Sequence, residues 1–289
     1  MGNNVNYATI FGNELAQKYS RELLTSGLTT CGVNFVGGNT VKIPFLSLKG
    51  YGNHSRAGGF NRQAVANQNL TRVLTHDRNV EFFVDSMDVD ETNQALSAAN
   101  ITNTFDSEFA IPETDAYRIS KICGEFSELG GEIVSVADTA EALLLQFDEF
   151  MQQLDDAEAP GEGRVLYVIP RVYKLLKQGA GSQRFMEFNG EMDRTVRSLD
   201  GVKVIVVPES RMRTAYDFAD GFEPLGSAGT VGMMLVHPKS VVAVVKHSYI
   251  KLWAPGTHTV GDGYLYQNRQ YGDLFVNEQR IEGIAIAMM

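Results

Sequence analysis

Apolar residues recur at helical spacing in three stretches of the chain. In the first, spacings of three and four predict a helix that stops near Gly27, with an apolar stripe formed by Tyr7, Ile10, Phe11, Leu15, Tyr19 and Leu23. The second stretch covers 91–129, where we expect Pro112 to break the helix. The third, "DTAEALLLQFDEFMQQLDDAE" (138–158), opens with a pattern typical of a capping box.

Other stretches have the apolar patterns of strands. "VKIPF" (41–45) alternates and carries a proline, as edge strands do, and "NLTRVLTHDRNVEFFVD" (69–85) is rich in β-branched and aromatic residues. "RVLYVIP" (164–170) and "GVKVIVVP" (201–208) are continuous apolar runs typical of buried strands, and a short amphipathic helix is predicted between them. The last third is mostly strand. The pattern therefore predicts an α+β fold, with short elements around one sheet.

A long two-stranded arm is predicted over 41–85. Its two strand-like runs are separated by "KGYGNHSRAGGFN" (49–61), which contains four glycines and no acidic residue. Ordinary hairpins close in about two to five residues, so this tip is unusually long and loose. A lone hairpin of such length cannot bury both of its faces and is marginal in water. We therefore expect the arm to lie on another surface.

Charge is unevenly distributed along the chain. The total is acidic, with 35 Asp and Glu against 25 Lys and Arg, which argues against generic nucleic-acid binding. Residues 41–80 nevertheless carry six basic residues against one acid, Asp77, a net charge of 6 − 1 = +5. The next segment, "EFFVDSMDVDE" (81–91), has five acids and no base. Charge runs are usually solvated faces, but this contrast also fits complementarity between neighbouring copies, which fixes orientation.

The second interpretation predicts a set of inter-subunit contact residues. They belong to the basic arm and to the acidic run, which meet when the arm of one copy lies on the next. The predicted contacts are Lys49, His54, Arg56, Arg62, Arg72 and Arg78 on the arm, and Glu81, Asp85, Asp88, Asp90 and Glu91 in the acidic run.

No catalytic, metal or cofactor site emerges from the motifs. None of the five histidines stands in a metal-ligand pair, and "GSAGTVG" (226–232) lacks the residues that complete a phosphate loop. His76 beside Asp77 is a candidate acid–base pair, although adjacent strand residues point to opposite faces. Cys31 and Cys123 are too far apart for a metal motif and fit buried thiols in a reducing cytoplasm.

Two further observations bear on partners. The aromatic residues near Arg269 are more typical of a core or an interface than of a platform for stacking bases; they are Trp253, Tyr264, Tyr266, Tyr271 and Phe275. No apolar run reaches the length of a membrane span, and the N-terminus lacks the pattern of a signal peptide. We therefore expect a soluble chain made in the cytoplasm.

The order of these elements resembles the major capsid proteins of tailed bacteriophages, which have the Hong Kong-type fold. "IPETDAYRISKI" (111–122) is similar to the start of the second half of the family's spine helix, and 237–276 is similar to its closing strands. Arg269 and Asp273 match a family pattern of Arg followed four residues later by Asp. The resemblance implies an N-terminal arm (1–40), an E-loop hairpin (41–85), a peripheral domain with the spine helix (86–131 and 261–289) and an axial domain (132–260).

The function implied by the resemblance is structural rather than enzymatic. Copies of the chain would assemble as hexamers and pentamers into an icosahedral shell around double-stranded DNA, which they would contact non-specifically. A separate scaffolding protein, a portal and decoration proteins are the other implied partners, with no cofactor and no membrane. The implied location is the virion capsid, assembled in the host cytoplasm. A glycine-rich arm tip suits contacts with neighbours that are not all equivalent.

Two alternative functions and one candidate cross-link stay open at this point. An encapsulin-type nanocompartment has the same fold but encloses cargo enzymes. A soluble hydrolase-like enzyme using His76 and Asp77 is a remote second alternative. Some family members also join neighbours through an isopeptide bond from an arm lysine; Lys49 is the only lysine between 43 and 120 and thus the one candidate at the tip.

Overall fold

The computed structural model describes residues 22–29, 35–36, 39–47, 66–91, 98–179, 186–188, 191–193 and 196–289. The predicted N-terminal helix lies outside these residues except for its last members, and Leu23 is not helical. The glycine-rich arm tip also lies outside them.

The described residues contain five α-helices and sixteen strands. The helices are α1 (Ser86–Glu91), α2 (Ala98–Phe105), α3 (Ile111–Glu128), α4 (Ala140–Asp156) and α5 (Pro170–Gly179). The strands are β1 (Phe35–Val36), β2 (Thr40–Ser47), β3 (Ala66–Val73), β4 (His76–Val84), β5 (Ile133–Ser135), β6 (Val165–Val168), β7 (Met186–Phe188), β8 (Glu191–Asp193), β9 (Ser198–Leu199), β10 (Val202–Val206), β11 (Tyr216–Asp217), β12 (Glu223–Pro224), β13 (Val231–Val236), β14 (Val241–Trp253), β15 (Tyr264–Val276) and β16 (Ile284–Met288).

The body of the protein is built on a six-stranded mixed sheet in the order β5-β16-β13-β6-β10-β9. Every residue of β6 and β13 is buried, which accounts for their continuous apolar sequence. β10 lies parallel to β6, so the two predicted strands "RVLYVIP" and "GVKVIVVP" are confirmed as neighbours. The buried sides of α4 and α5 join the same core, through Phe147 and Leu176.

Helix α4 begins at a side-chain cap and is held by its buried apolar side. The hydroxyl of Thr139 accepts a hydrogen bond from the backbone N–H of Ala142, 3.3 Å away, so Thr139 is the N-cap. The helix begins at Ala140, two residues after the predicted start at 138, and Thr139 rather than Asp138 is its N-cap. Apolar residues such as Phe150 line the buried side, and the acidic residues lie on the exposed side. This helix is therefore held by its apolar side, with its charge in solvent.

The spine of the molecule runs without interruption from 98 to 128. α2 leads into a π-helical turn, Asp106–Ala110, which leads directly into α3. The prediction that Pro112 breaks the helix is therefore wrong. Proline lacks the N–H that bonds to the carbonyl four residues earlier, and the wider π turn lies next to the position where that bond is missing. Ile122 and Phe126 of α3 enter the core, as does Cys123, whose pKa burial raises to about 12.

A second sheet contains part of the predicted arm, so the arm is shorter than predicted. β14, β15 and β4 form an antiparallel sheet in that order, with β4 paired to β15 from His76 opposite Gly272 to Val84 opposite Tyr264. The arm hairpin consists of β2 and β3 alone. The prediction of one two-stranded arm over 41–85 is thus wrong for 76–84. The β-branched and aromatic residues predicted strand structure here correctly, but they do not say which strand lies alongside.

The same pairings bear on the predicted domain limits, which stay a prediction. A boundary between 260 and 261 separates β14 from β15, although the two strands form one hairpin with continuous pairing apart from one bulge. β16 lies in the six-stranded sheet and not with β15. The expectation of a single sheet is wrong as well, because the six-stranded and three-stranded sheets are separate. The α+β fold class is confirmed.

A buried carboxylate fixes the segment that precedes the arm to the spine. Asp115 of α3 is 0% exposed and accepts hydrogen bonds from the backbone N–H groups of Leu24 and Thr25, at 3.2 and 3.0 Å. It also accepts from the Thr25 hydroxyl at 2.8 Å and from Arg211 at 3.1 Å. Buried charge is tolerated only when it is paired and hydrogen-bonded, and Asp115 meets both conditions.

One turn further along α3, Arg118 completes this attachment. Its guanidinium donates to the carbonyl of Thr25 at 2.9 Å and to the hydroxyl of Thr29 at 3.2 Å. Burial lowers the pKa of Arg118, and the nearby Asp115 carboxylate opposes that shift. Two charged residues of one helix therefore hold the segment 22–29 in place.

We expect Asp115→Asn to lower the free energy of unfolding of the subunit by about 3 kcal/mol or more, because the substitution leaves Arg211 buried without its counter-ion. Urea unfolding followed by circular dichroism measures the change. Asp156→Asn, on the exposed side of α4, is the matched control and should change stability by less than about 0.5 kcal/mol. Equal effects in the two variants would contradict the importance of the buried pair.

Candidate assembly surface

The root of the arm is packed onto the body. Val41 of β2 and Leu74, which follows β3, form a small apolar cluster with Val244 and Phe275 of the second sheet. The Leu74 N–H donates to the carbonyl of Asn39 at 2.8 Å, closing the base of the hairpin. The arm therefore leaves the body from a fixed base.

Asp273 joins this root to the spine. Its carboxylate, in a residue only 6% exposed, accepts from the N–H and the hydroxyl of Thr75 at 2.8 and 3.0 Å. It also accepts from the hydroxyl of Tyr117 on α3 at 2.6 Å. Burial, together with this carboxylate, raises the pKa of Tyr117 above its usual range, so the phenol stays a donor. Asp273, one member of the Arg–Asp pattern, thus connects the arm root, the sheet and the spine.

His76 and Asp77 do not form an acid–base pair. The His76 ring stacks on Tyr117 with centroids 3.7 Å apart, on the face of the sheet that meets the spine. Asp77 lies on the other face, where Arg269 donates to it twice, at 3.0 and 2.6 Å. Burial, helped by Arg78, lowers the pKa of His76 to about 4. Each residue is committed to its own partners, which removes the geometric basis of the enzyme alternative.

Two of the predicted inter-subunit arginines are bound within their own chain. Arg72 pairs with Glu278 at 2.6 Å, beside the arm root. Arg78 pairs with Glu113 of α3 at 2.6 Å and also donates to the carbonyls of Phe218 and Gly221. These contacts give Arg78 a structural role that the charge count did not reveal, because a count does not show what lies nearby.

The remaining predicted contacts are only partly described. Lys49, His54, Arg56 and Arg62 lie outside the described residues. Glu81 is exposed on β4, and Asp85 and Asp88 are half-buried at its end. Asp90 and Glu91 lie in α1, whose last side chains are outside the description. The contact role of the acidic run stays a prediction.

One face of the second sheet is covered by no other element of the described chain. Its strands are linked there by polar contacts: Trp253 donates to Gln267 at 3.1 Å, and Gln267 donates to Glu81 at 2.7 Å. The Lys251 ammonium lies 3.4 Å from the Trp253 ring centroid. Sequence reasoning missed this surface. The alternating polar residues of β4 were its only signal.

The opposite face of that sheet is partly covered by the spine. Asn268 of β15 is buried and donates to Asp106 at 3.2 Å, and Tyr266 donates to the same carboxylate at 3.3 Å. Phe82 packs edge-on against Phe105 of α2. The predicted aromatic cluster is therefore split, since Tyr266 and Phe275 are buried whereas Trp253 stays partly exposed.

Neither a metal site nor a membrane-spanning helix occurs within the described ranges. No group of three or more His, Cys, Asp or Glu side chains there is arranged to hold a metal ion. No helix among those residues is long and apolar enough to cross a membrane.

The burial of His76 predicts a pH dependence of stability. Its pKa is about 4 in the folded state and near 6.5 when unfolded, so the unfolded state gains the proton first as pH falls. The stabilisation is present above pH 6.5, falls as pH decreases towards 4, and amounts to at most about 3 kcal/mol. His76→Phe keeps a ring beside Tyr117 and should flatten this part of the profile.

Urea unfolding at several pH values between 7 and 4 measures this effect as the difference between wild type and variant. His247→Phe is the matched control, because His247 is exposed on β14. A profile for His76→Phe that parallels the wild type would contradict the assignment.

The chain is similar along nearly its full length to solved bacteriophage structures. The mature capsid of bacteriophage PhiM1 aligns with 98% of this chain and 92% of its own, with a TM-score of 0.67 and 14% identity. The capsid of cyanophage P-SCSP1u aligns over the same shares, with a TM-score of 0.65 and 15% identity. A structure from Mycobacterium phage Che8 aligns over 99% and 98%, with a TM-score of 0.64 and 14% identity.

Sequence comparison adds nothing to this likeness: no family model matches the chain, and no curated protein matches it either. At 14–15% identity the likeness shows the fold alone. The chain has the fold of bacteriophage major capsid proteins.

Proposed function

We propose that this protein is the major capsid protein of a tailed bacteriophage. Copies would assemble as hexamers and pentamers into an icosahedral shell that encloses double-stranded DNA. The observation that carries the proposal is the full-length likeness to phage capsid structures, which covers the arm as well as the body. The role would be structural, and the location would be the virion capsid.

The shape of the described chain supports this proposal. β2 is paired with β1 and β3, and these three strands form a sheet separate from the sheets of the body. Beyond its packed root, such a hairpin needs another surface to bury its apolar residues. A neighbouring copy supplies that surface in a shell.

We further propose that the arm tip of one copy lies on the acidic run of a neighbour. Arg72 and Arg78 are engaged inside the chain, so the basic residues of this contact are those near the tip: Lys49, His54, Arg56 and Arg62. Glu81, Asp85, Asp88, Asp90 and Glu91 are the acidic partners. A separate scaffolding protein, a portal and decoration proteins complete the proposed set of partners. Assembly would take place in the host cytoplasm.

Deletion of residues 50–60 should leave a folded subunit and block shell formation. We expect a segment this rich in glycine to contribute little core burial, whereas the proposed contact between copies depends on its length. Electron microscopy and light scattering report assembly, and thermal unfolding of the dissociated subunit reports the fold. Replacing 50–60 by a Gly-Ser segment of equal length separates length from charge. Wild-type protein that stays monomeric at all concentrations and salt levels would contradict the proposal.

Charge reversal should distinguish the basic residues of the arm tip from Arg78, which is bound within its own chain. Arg56→Glu with Arg62→Glu should slow assembly severalfold at low salt and leave the unfolding temperature of the subunit unchanged. Arg78→Glu should instead lower the free energy of unfolding by about 2 kcal/mol, because Glu113 loses its partner in a partly buried site.

Light scattering at low and at physiological salt measures the rates, and screening should reduce the effect of the tip reversal at the higher salt. Unchanged assembly of the tip variant at low salt would show that its charges are merely solvated.

A further inference from the structure

The distal part of β14 is a bare strand edge in the described chain. The proximal part is covered, because Thr29 forms a bridge to Ala243 and the segment 22–29 is fixed to the spine there. From 247 to 252 every residue of β14 is exposed, on both faces of the sheet. Over the same rows Tyr266 and Asn268 of the neighbouring β15 are buried on the face towards the spine. The spine therefore covers one face of β15 and β4 there, whereas the distal part of β14 is uncovered in the described chain.

This edge is unusually apolar for an exposed strand. Ile250 is 51% exposed and Leu252 is 47% exposed, while Tyr249 lies on the opposite face. The segment contains no proline and no acidic residue. Proteins normally protect long edge strands with charge, proline or a covering element, and an open apolar edge marks an interaction site.

The charge of the edge selects its partner. Lys251 lies between Ile250 and Leu252, and no acidic residue occurs from 245 to 260. Pairing with the same edge of a second copy would bring like charges together, which is unfavourable across strands. The partner should therefore be acidic with an exposed apolar residue of its own.

The segment that follows the opposite edge strand, β4, and begins α1 has these properties. Beyond β4 the chain reads "DSMD" (85–88), in which Met87 is 66% exposed between Asp85 and Asp88. The acidic side of α4 also exposes one large apolar residue, Leu145. It is a poorer match, because α4 packs on the six-stranded sheet and not on the sheet that contains β14. The 85–88 segment and the β14 edge lie at the same end of one sheet, on opposite sides of β15.

We propose that the distal edge of β14 (247–252) binds the 85–88 segment of a second copy of this chain. The proposal rests on the capsid function and adds a second contact, in which Asp85 and Asp88 serve the β14 edge while Glu81, Asp90 and Glu91 remain for the arm tip. Ile250 and Leu252 pack against Met87 of the neighbour, and Lys251 faces its acidic residues. Each copy carries both surfaces, the basic β14 edge and the acidic 85–88 segment. The contact is therefore heterologous, with different residues on its two sides, and it repeats around a symmetry axis at the end of the sheet.

Cysteine cross-linking between two variants tests the contact. Leu252→Cys and Met87→Cys are made in separate chains, both with Cys31→Ser, and are mixed before assembly and oxidation. Copies joined as proposed give covalent dimers on a non-reducing gel only in the mixture. Within one chain the two edges are separated by β15, roughly 10 Å, beyond the reach of a disulfide.

The outcomes distinguish this contact from its rivals. Dimers in Leu252→Cys alone would show that β14 pairs with itself and would overturn the proposal. Normal shells without dimers in the mixture would also overturn it and would leave the capsid function intact. Failure of wild-type protein to assemble would overturn both.

Charge reversal gives an independent test on shells of the full-length protein. Lys251→Glu should raise the protein concentration needed for assembly about five- to tenfold, and the double variant with Asp88→Lys should recover most of the loss. Lys203→Glu, on the exposed side of β10, is the matched control and should have no effect. A loss in Lys251→Glu that Asp88→Lys does not reduce would count against the pairing.

Discussion

The acceptor oxygens of Asp273 are the point at which the separate parts of this molecule are held to one another. A carboxylate buried to this degree requires donors, and it obtains them from Thr75 at the arm root and from Tyr117 on the spine. Because Asp273 belongs to β15, the same side chain also ties both elements to the second sheet. The direction of the arm, the seat of the spine and the position of the sheet are thus set together.

A second set of charged contacts is made by helix α3. Asp115 and Arg118 hold the segment 22–29, while Glu113 holds Arg78 and, through it, the turn at 218–221. On the buried side of α3, Asp115 and Arg118 lie among core residues such as Ile122, so polar attachment and core packing share that side. This arrangement explains why charged residues occur in a helix that is otherwise half apolar.

The sequence predicted most of the elements and fewer of their partners. A continuous apolar run identified β6 because a strand buried on both faces leaves no room for polar residues, and a similar run identified β10 although its Lys203 is exposed. The strand over 76–84 was recognised, yet its pairing was wrong, since the energy of pairing depends on residues almost two hundred positions away. Arg78 was counted as a free charge because Glu113 and the 218–221 turn come close only after folding. The Arg269–Asp273 pattern pointed to residues that matter, without showing that Asp273 faces inward and Arg269 outward.

The position of β16 has a consequence for biosynthesis. This strand lies between β5 and β13 in the six-stranded sheet, with Ile286 opposite Ile133, a separation of 286 − 133 = 153 residues. β5 therefore has no neighbour to pair with until the ribosome has translated the codons of 284–288. Contacts between such distant residues slow folding and expose unpaired strands in the meantime. The body must accordingly complete its fold late in translation or after it.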